Sequence, residues 1–167
     1  MYNHAPADYI CPFCALIADM EIEHLLSRRD DIVLKSALTT AFIGLRQWPN
    51  NPGGVIVIHN EHFENIYDLP AHLAAKIHEA AQVIAIAMKA AFTCDGVSTR
   101  QHNEPAGNQD VWHYHLHVTP RYSGDNFYGT RGENMPAPRR AELARRLKAH
   151  LMNGKPMPHK PPIRDKR

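Results

Sequence analysis

The chemistry in this chain concentrates in one stretch, WHYHLHVTPR, residues 112–121, where His113, His115 and His117 alternate with Tyr114 and Leu116. Alternation is the period of a β-strand, so the pattern predicts three imidazoles on one face and Trp112, Tyr114, Leu116 and Val118 on the other, packed against helices. Next neighbours on one face stand roughly 6–7 Å apart, close enough for several rings to surround one phosphate or one metal ion. Three readings compete: a surface strand with scattered polar residues, a metal site with imidazole ligands, and phosphate chemistry. In the last, a neutral imidazole attacks phosphorus and later leaves it, while a neighbouring imidazolium delivers a proton. Histidine suits both tasks because its ordinary pKa of about 6.5 lies near neutrality.

A second group is Cys11-Pro-Phe-Cys14, whose spacing seats two thiolates on one tetrahedral ion. His59, His62 and His113 are candidates for the remaining ligands. A redox motif shares the spacing, but nine irregular residues precede it where a thioredoxin-like motif needs a strand. Cys94 stands alone near a helix end and reads as a small core residue.

HYHLHVTPR resembles the signature of the histidine-triad superfamily. CPFC, NNPGGVIVIHNEHFENIYDLP, NEPAGNQDVW and the triad occur in the family's order, over about residues 9–127. The resemblance implies that His115 is the nucleophile taking up a nucleotidyl group, that His117 contacts the phosphate or leaving group and helps transfer the proton, and that His113 orients the site. It implies that Asn103 and Gln109 hold phosphate oxygens or position the nucleophile, with backbone N–H groups around Gly107, Asn108 and Gln109 forming an anion nest. Asp110 departs from the small hydroxyl residue common there, and Asn108 reads as one extra residue in the loop. Base and ribose are expected among Phe13, Leu16, Ile17, Phe42, Gly44, Leu45, Arg46 and Asn50 or Asn51. Arg121 is expected either to neutralise substrate charge or to form a structural salt bridge. For the cysteine pair the resemblance implies a structural zinc held by Cys11, Cys14, His62 and His113, a closed site that activates no water. The implied activity is hydrolysis of a nucleotide phosphoanhydride or phosphoramidate through a nucleotidyl-histidine. A nucleotidyltransferase using the same intermediate and a non-catalytic nucleotide-binding module are the alternatives. Dimeric relatives imply a homodimer, and the nucleotide is expected to be a purine.

Several elements must position these residues. A helix is expected over Ala15–Leu26, with strands at 31–36, 40–45, 54–59, 96–103 and 111–119. Asn50-Pro52-Gly53-Gly54 marks a tight loop. The longest helical signal starts near Leu69 with Asp68 as N-cap, and repeats through Leu73, Ile77, Ile84, Met88 and Phe92. Ala80 and Ala81 suit close approach to a sheet. A last helix covers Ala137–Leu151. The order of strands, long helix, strands and helix predicts an α+β domain with a mostly antiparallel five-stranded sheet. Residues 1–152 read as this single domain and 153–167 as a Pro-rich basic tail that reads as disordered without ligand.

The bulk numbers fit that scheme. The chain has 167 residues, 44% of them hydrophobic, and a net charge of +2. That suits one domain and gives little support to a nucleic-acid partner. An odd cysteine count, 3, argues against a disulfide framework. No run is long enough for a membrane span and the N-terminus does not read as a secretory signal, so a cytoplasmic location is expected. The 12 histidines make charge and metal affinity sensitive to pH between about 5 and 8.

Overall fold

The computed structural model describes residues 2–20, 22 and 25–152; the expected tail at 153–167 lies outside the described residues. The chain forms α1 (Pro12–Ile17), β1 (Ile32–Lys35), β2 (Thr39–Ile43), β3 (Arg46–Gln47), β4 (Val55–His59), α2 (Ala71–Phe92), β5 (Gly96–Gln101), β6 (His115–Arg121), β7 (Glu133–Asn134) and α3 (Ala137–Met152). Five strands make one sheet in the order β1-β2-β4-β6-β5, every pair antiparallel, and β3 pairs with β7 in a small ribbon. The fold is α+β, as the order of patterns predicts.

Strand alternation sorts side chains between two layers. From β2, Ala41 and Ile43 enter the larger core while Phe42 enters a smaller one; from β4, Val55 and Val57 face the larger core and Ile58 the smaller. The long helix α2 covers the larger face, resting on β4 and β6, and α3 packs beside it. Ile77, Ile84 and Met88 of α2 are fully buried there, with Ala80 and Ala81 allowing the close approach expected of them. On the opposite face α1 places Phe13 and Leu16 over Phe42 and Ile58, and that face carries the histidines.

Two helix starts differ from expectation. α1 begins earlier and is shorter, because Pro12 fits the first turn, Cys11 caps it with its sulfur on Cys14 N–H, and Asp19 leaves the helix at φ 57°. Met20 and Leu26, expected on the helix, are 53% exposed. At α2, Pro70 rather than Asp68 takes the cap position, with no side-chain capping bond.

The loop before β4 needs a glycine. Gly53 has φ +106°, and a Cβ there would lie 2.5 Å from the Phe92 ring. Gln47 ties the same loop, donating to the carbonyls of Gly44 and Gly54 and accepting from the N–H groups of Gly53 and Gly54. A buried ion pair, Asp31–Arg140 at 2.9 Å, fastens α3 to the turn before β1.

Candidate functional site

β6 is shorter than the expected strand. It starts at His115, paired with Ile58 of β4. Before it the chain bends: His113 N–H bonds Val111 O and Tyr114 N–H bonds Phe63 O, so neither joins the ladder. His113 therefore precedes the strand. The three rings nevertheless form a row, with Phe13 edge-on to both His113 (5.8 Å) and His115 (5.4 Å), and His115 4.9 Å from His117. Tyr114, Leu116 and Val118 join the helix-covered core as expected. Trp112 does not; the bend turns it to the surface beside His4.

Two carbonyls fix the ring tautomers, because a carbonyl can only accept. His113 Nε2 lies 3.0 Å from His59 O, so Nε2 carries the proton and Nδ1 presents its lone pair. His115 Nδ1 lies 2.7 Å from His113 O, so Nδ1 carries the proton and Nε2 is the lone-pair nitrogen of the neutral ring. Burial is the main cause that lowers the pKa of the His115 and His117 rings. His115 is lowered despite its bond to the His113 carbonyl. His117 falls to about 3, helped by the positive surroundings of His115, His102 and Arg100.

His115 and His117 line a cleft of about 320 Å³. Phe13, Phe42, Leu45, Arg46 and Asn108 line it with them, as does Gly44. The structure also brings in side chains that the sequence reading missed: Trp48, Arg100, His102, Val111 and Phe127. Arg100 was findable, since it stands opposite His117 in the β5–β6 register and so shares its face. His102 donates from Nδ1 to Gly107 O at 2.6 Å and sets its ring 5.8 Å from His117. The carboxylate of Asp110 also borders the cleft, where it works against the lowering of His115.

Other expected site residues are placed outside the cleft wall. Asn103 binds Ile66 N–H and exchanges amide bonds with Gln101. Gln109 is buried, donating to Glu64 O and Val111 O and accepting from Glu104 N–H. Asn51 is buried on Pro120 O and the Asp125 carboxylate. The N–H groups of Gly107, Asn108 and Gln109 close a tight turn on Glu104 O and Pro105 O, so they form no open nest. Leu16 and Ile17 pack in the smaller core rather than along the cleft, and Asn50 bonds Asp125 O. The amides of Asn50, Asn51, Asn103 and Gln109 are thus engaged with loop backbone. Arg121 pairs with Asp125 at 2.7 Å, the structural option of the two. Cys94 is buried and free.

Behind the cleft, Cys11, Cys14, His62 and His113 bring two sulfurs and two ring nitrogens within 4.8 Å of one another. The separations are 3.4 Å from Cys11 Sγ to His113 Nδ1, 3.3 Å from Cys14 Sγ to His62 Nδ1 and 3.6 Å from Cys14 Sγ to His113 Nδ1. Tetrahedral zinc with ordinary Zn–S and Zn–N bonds needs about 3.5 Å between such atoms. The donor set and its spacing therefore fit that ion. His59, the other candidate, sits aside with its ring on Phe63 and its Nδ1 accepting from Glu61 N–H. The surrounding donors pull the Cys11 thiol well below its usual range, with Cys14 the largest influence, and Cys11 in turn raises His62.

Residues 27–124 match the HIT domain family. The chain belongs to that family. It is 35% identical over 118 residues to "Protein hit" of Bacillus subtilis, covering 70% of this chain and 75% of the relative. Among solved structures, a zinc-bound histidine triad family protein from Mycobacterium smegmatis superposes with a TM-score of 0.70 at 26% identity, over 86% of this chain and 94% of that one. A Plasmodium falciparum diadenosine triphosphate hydrolase shares the fold, with a TM-score of 0.64 at 14% identity over 85% and 97% of the two chains. Among the described residues of this HIT protein, no helix is long and apolar enough to cross a membrane.

Proposed function

We propose that this HIT protein hydrolyses a nucleotide phosphoanhydride or phosphoramidate through a covalent intermediate on His115. The observation that carries the reading is the 2.7 Å contact of His115 Nδ1 with the His113 carbonyl, at the floor of an apolar cleft. It presents Nε2 as a nucleophile without any proton having to be removed first. His115 Nε2 attacks the α-phosphorus, an N–P bond forms, and the bond to the leaving oxygen or nitrogen breaks with its electron pair on the leaving atom. The ring becomes cationic, and its Nδ1–H faces the carbonyl that best accommodates that charge. His117, beside it, is lowered in the free protein by burial; a bound phosphate raises it by opposite charge and lets it deliver the proton. Water then attacks the phosphorus and gives up a proton to His117, a P–O bond forms, and the N–P bond breaks with its electron pair returning to His115 Nε2, which releases a nucleoside monophosphate.

The nucleoside is assigned to the part of the cleft walled by Phe13, Phe42, Leu45 and Arg46, and the paired aromatic rings of Phe13 and Phe42, 5.3 Å apart, favour a purine. Zinc is assigned to Cys11, Cys14, His62 and His113, as a structural ion. Bound there it holds the α1 N-terminus to the bend before β6; His113 then presents its carbonyl to His115. The outer edge of β5 and the exposed Val83 and Ile86 of α2 support a homodimer. Three free thiols suit the reducing cytoplasm.

The test is a hydrolysis panel of dinucleoside polyphosphates and nucleoside phosphoramidates, comparing the parent with His115→Ala and His115→Gly. Turnover is expected to vanish in both variants while nucleotide binding survives. Full turnover by either variant contradicts the assignment. Light scattering on the same samples is expected to give twice the chain mass; a monomer rejects the dimer.

A further inference from the structure

A fourth imidazole shares the cleft with the triad. His102 is the first residue after β5. Arg100 pairs with His117 and Gln101 with Leu116, so the next register position sets His102 level with His115, on the face that carries Arg100. Its ring is half-buried, lines the cleft and stands 5.8 Å from His117 at 77°. The turn that follows fixes this ring. The N–H groups of Gly107 and Gln109 close on Glu104 O, the Gln109 side chain accepts from Glu104 N–H, and Asn108 takes φ 68°. The Gly107 carbonyl held by this turn meets His102 Nδ1 at 2.6 Å. A carbonyl only accepts, so Nδ1 carries a proton and Nε2 is the lone-pair nitrogen of the neutral ring. Among the described residues that contact is the ring's only hydrogen bond, which leaves Nε2 to the cleft.

The other neighbours of His117 cannot exchange a proton with it. Ile56 stands opposite on β4 and is apolar. Arg100 stands opposite on β5, and a guanidinium keeps its proton. His115, 4.9 Å away along β6, is the ring assigned to bond phosphorus. Asp110 borders the cleft and acts on His115, and Arg46 lines the wall. Of these neighbours, His102 alone combines ring contact with His117, an available lone pair and partial access to solvent.

We propose that His102 is the proton relay of His117, passing a proton between its own Nε2 and the His117 ring. The proposal rests on the two-step reading above and adds how His117 is loaded and cleared. When substrate brings its phosphate to His117, a proton has to reach that ring while the substrate fills the cleft. Protonated His102 hands over the proton on Nε2 and becomes neutral, its Nδ1–H staying on the Gly107 carbonyl, so the ring does not turn. When product leaves, the proton passes from His117 back to His102 Nε2 and from there to water. Only N–H bonds form and break in these transfers.

The experiment uses the full chain with a nucleoside phosphoramidate and a dinucleoside tetraphosphate, comparing the parent with His102→Gln and His102→Ala. Glutamine keeps an N–H for the Gly107 carbonyl and relays no proton. Both variants are expected to lower kcat about tenfold or more and to change KM less than about twofold. Added imidazole is expected to restore most of the kcat of His102→Ala, and pyrazole, of the same size but far less basic, to restore none. Parent-like kcat in His102→Gln, rescue by both azoles alike, or rescue by neither overturns the relay. Should His102→Ala not fold, the solvent hydrogen isotope effect on kcat decides with His102→Gln: a rise over the parent is expected, and an unchanged effect overturns the relay. Loss of turnover in His115→Gly beside full turnover in His102→Gln defeats the relay alone. A parent that turns over neither substrate defeats the two-step reading and the relay with it.

Discussion

The carbonyl of His113 accepts the Nδ1–H of His115 at 2.7 Å, while the side chain of His113 points its Nδ1 at the sulfurs of Cys11 and Cys14. One residue thus belongs to two sites, by its backbone to the cleft and by its ring to the cysteine cluster. Whatever fixes the cluster also fixes the ring of His115.

Metal content should therefore follow the cluster, and activity should follow metal content. The parent is expected to hold about one zinc per chain by elemental analysis, and Cys11→Ala and His62→Ala to hold much less. Turnover is expected to fall about tenfold or more with the loss, the usual cost of disturbing a group that orients another. Undiminished zinc in both variants rejects the ligand set.

The half-buried ring of His117 makes stability depend on pH. Its folded pKa of about 3 lies below the unfolded value of about 6.5. As pH falls through 6.5 the unfolded chain takes up a proton that the folded protein refuses. Stability therefore falls between pH 6.5 and 3, by up to about 1.4 kcal/mol per pH unit from this ring. Urea unfolding at pH 7.5 and 5 should show the parent losing about 1–2 kcal/mol more than His117→Gln. An identical loss in both contradicts the lowered pKa of that ring.

The Asp31–Arg140 pair should be costly to break from one side. Arg140 also donates to Leu26 O and Met135 O, and Asp31 Oδ2 accepts from Arg28 N–H. Arg140→Met leaves the buried carboxylate unpaired and is expected to cost about 3–5 kcal/mol by denaturant titration. The double change Asp31→Leu with Arg140→Met should cost less than the sum of the two single ones. Additive losses would deny the coupling.

Gly53→Ala should be destabilising on two counts, backbone conformation and collision with Phe92. A loss of about 1–3 kcal/mol in unfolding free energy is expected. The same measurement on Gly53→Ala with Phe92→Leu should recover part of the loss, since the shorter side chain removes the collision but not the strain.

What could be seen in the sequence follows from how local each signal is. The period of two in His115, Leu116, His117 and Val118 needs only the strand geometry, and the Cys11–Cys14 spacing needs only one helical turn. α2 was legible from Ile77, Ile84 and Met88, which repeat at helical spacing whatever they pack against. The bend at 111–113 was not, because it depends on Tyr114 N–H finding Phe63 O, a partner distant in sequence. Asn51, Asn103 and Gln109 are ligand-facing amides only by the family resemblance. Their type is equally suited to satisfying loop backbone, and only the tertiary arrangement separates the two uses. Arg100, Trp48 and Phe127 reach the cleft from three separate elements, so no single window of sequence contains them.

The central claim is a bond between His115 and phosphorus. Reaction with a nucleotide substrate, rapid quenching and peptide mass analysis test it most directly. The account predicts a mass increase of one nucleoside monophosphate on the peptide containing His115, acid-labile and alkali-stable, and absent from His115→Gly. Nucleotide attached to a different residue, or unimpaired turnover by His115→Gly, contradicts it.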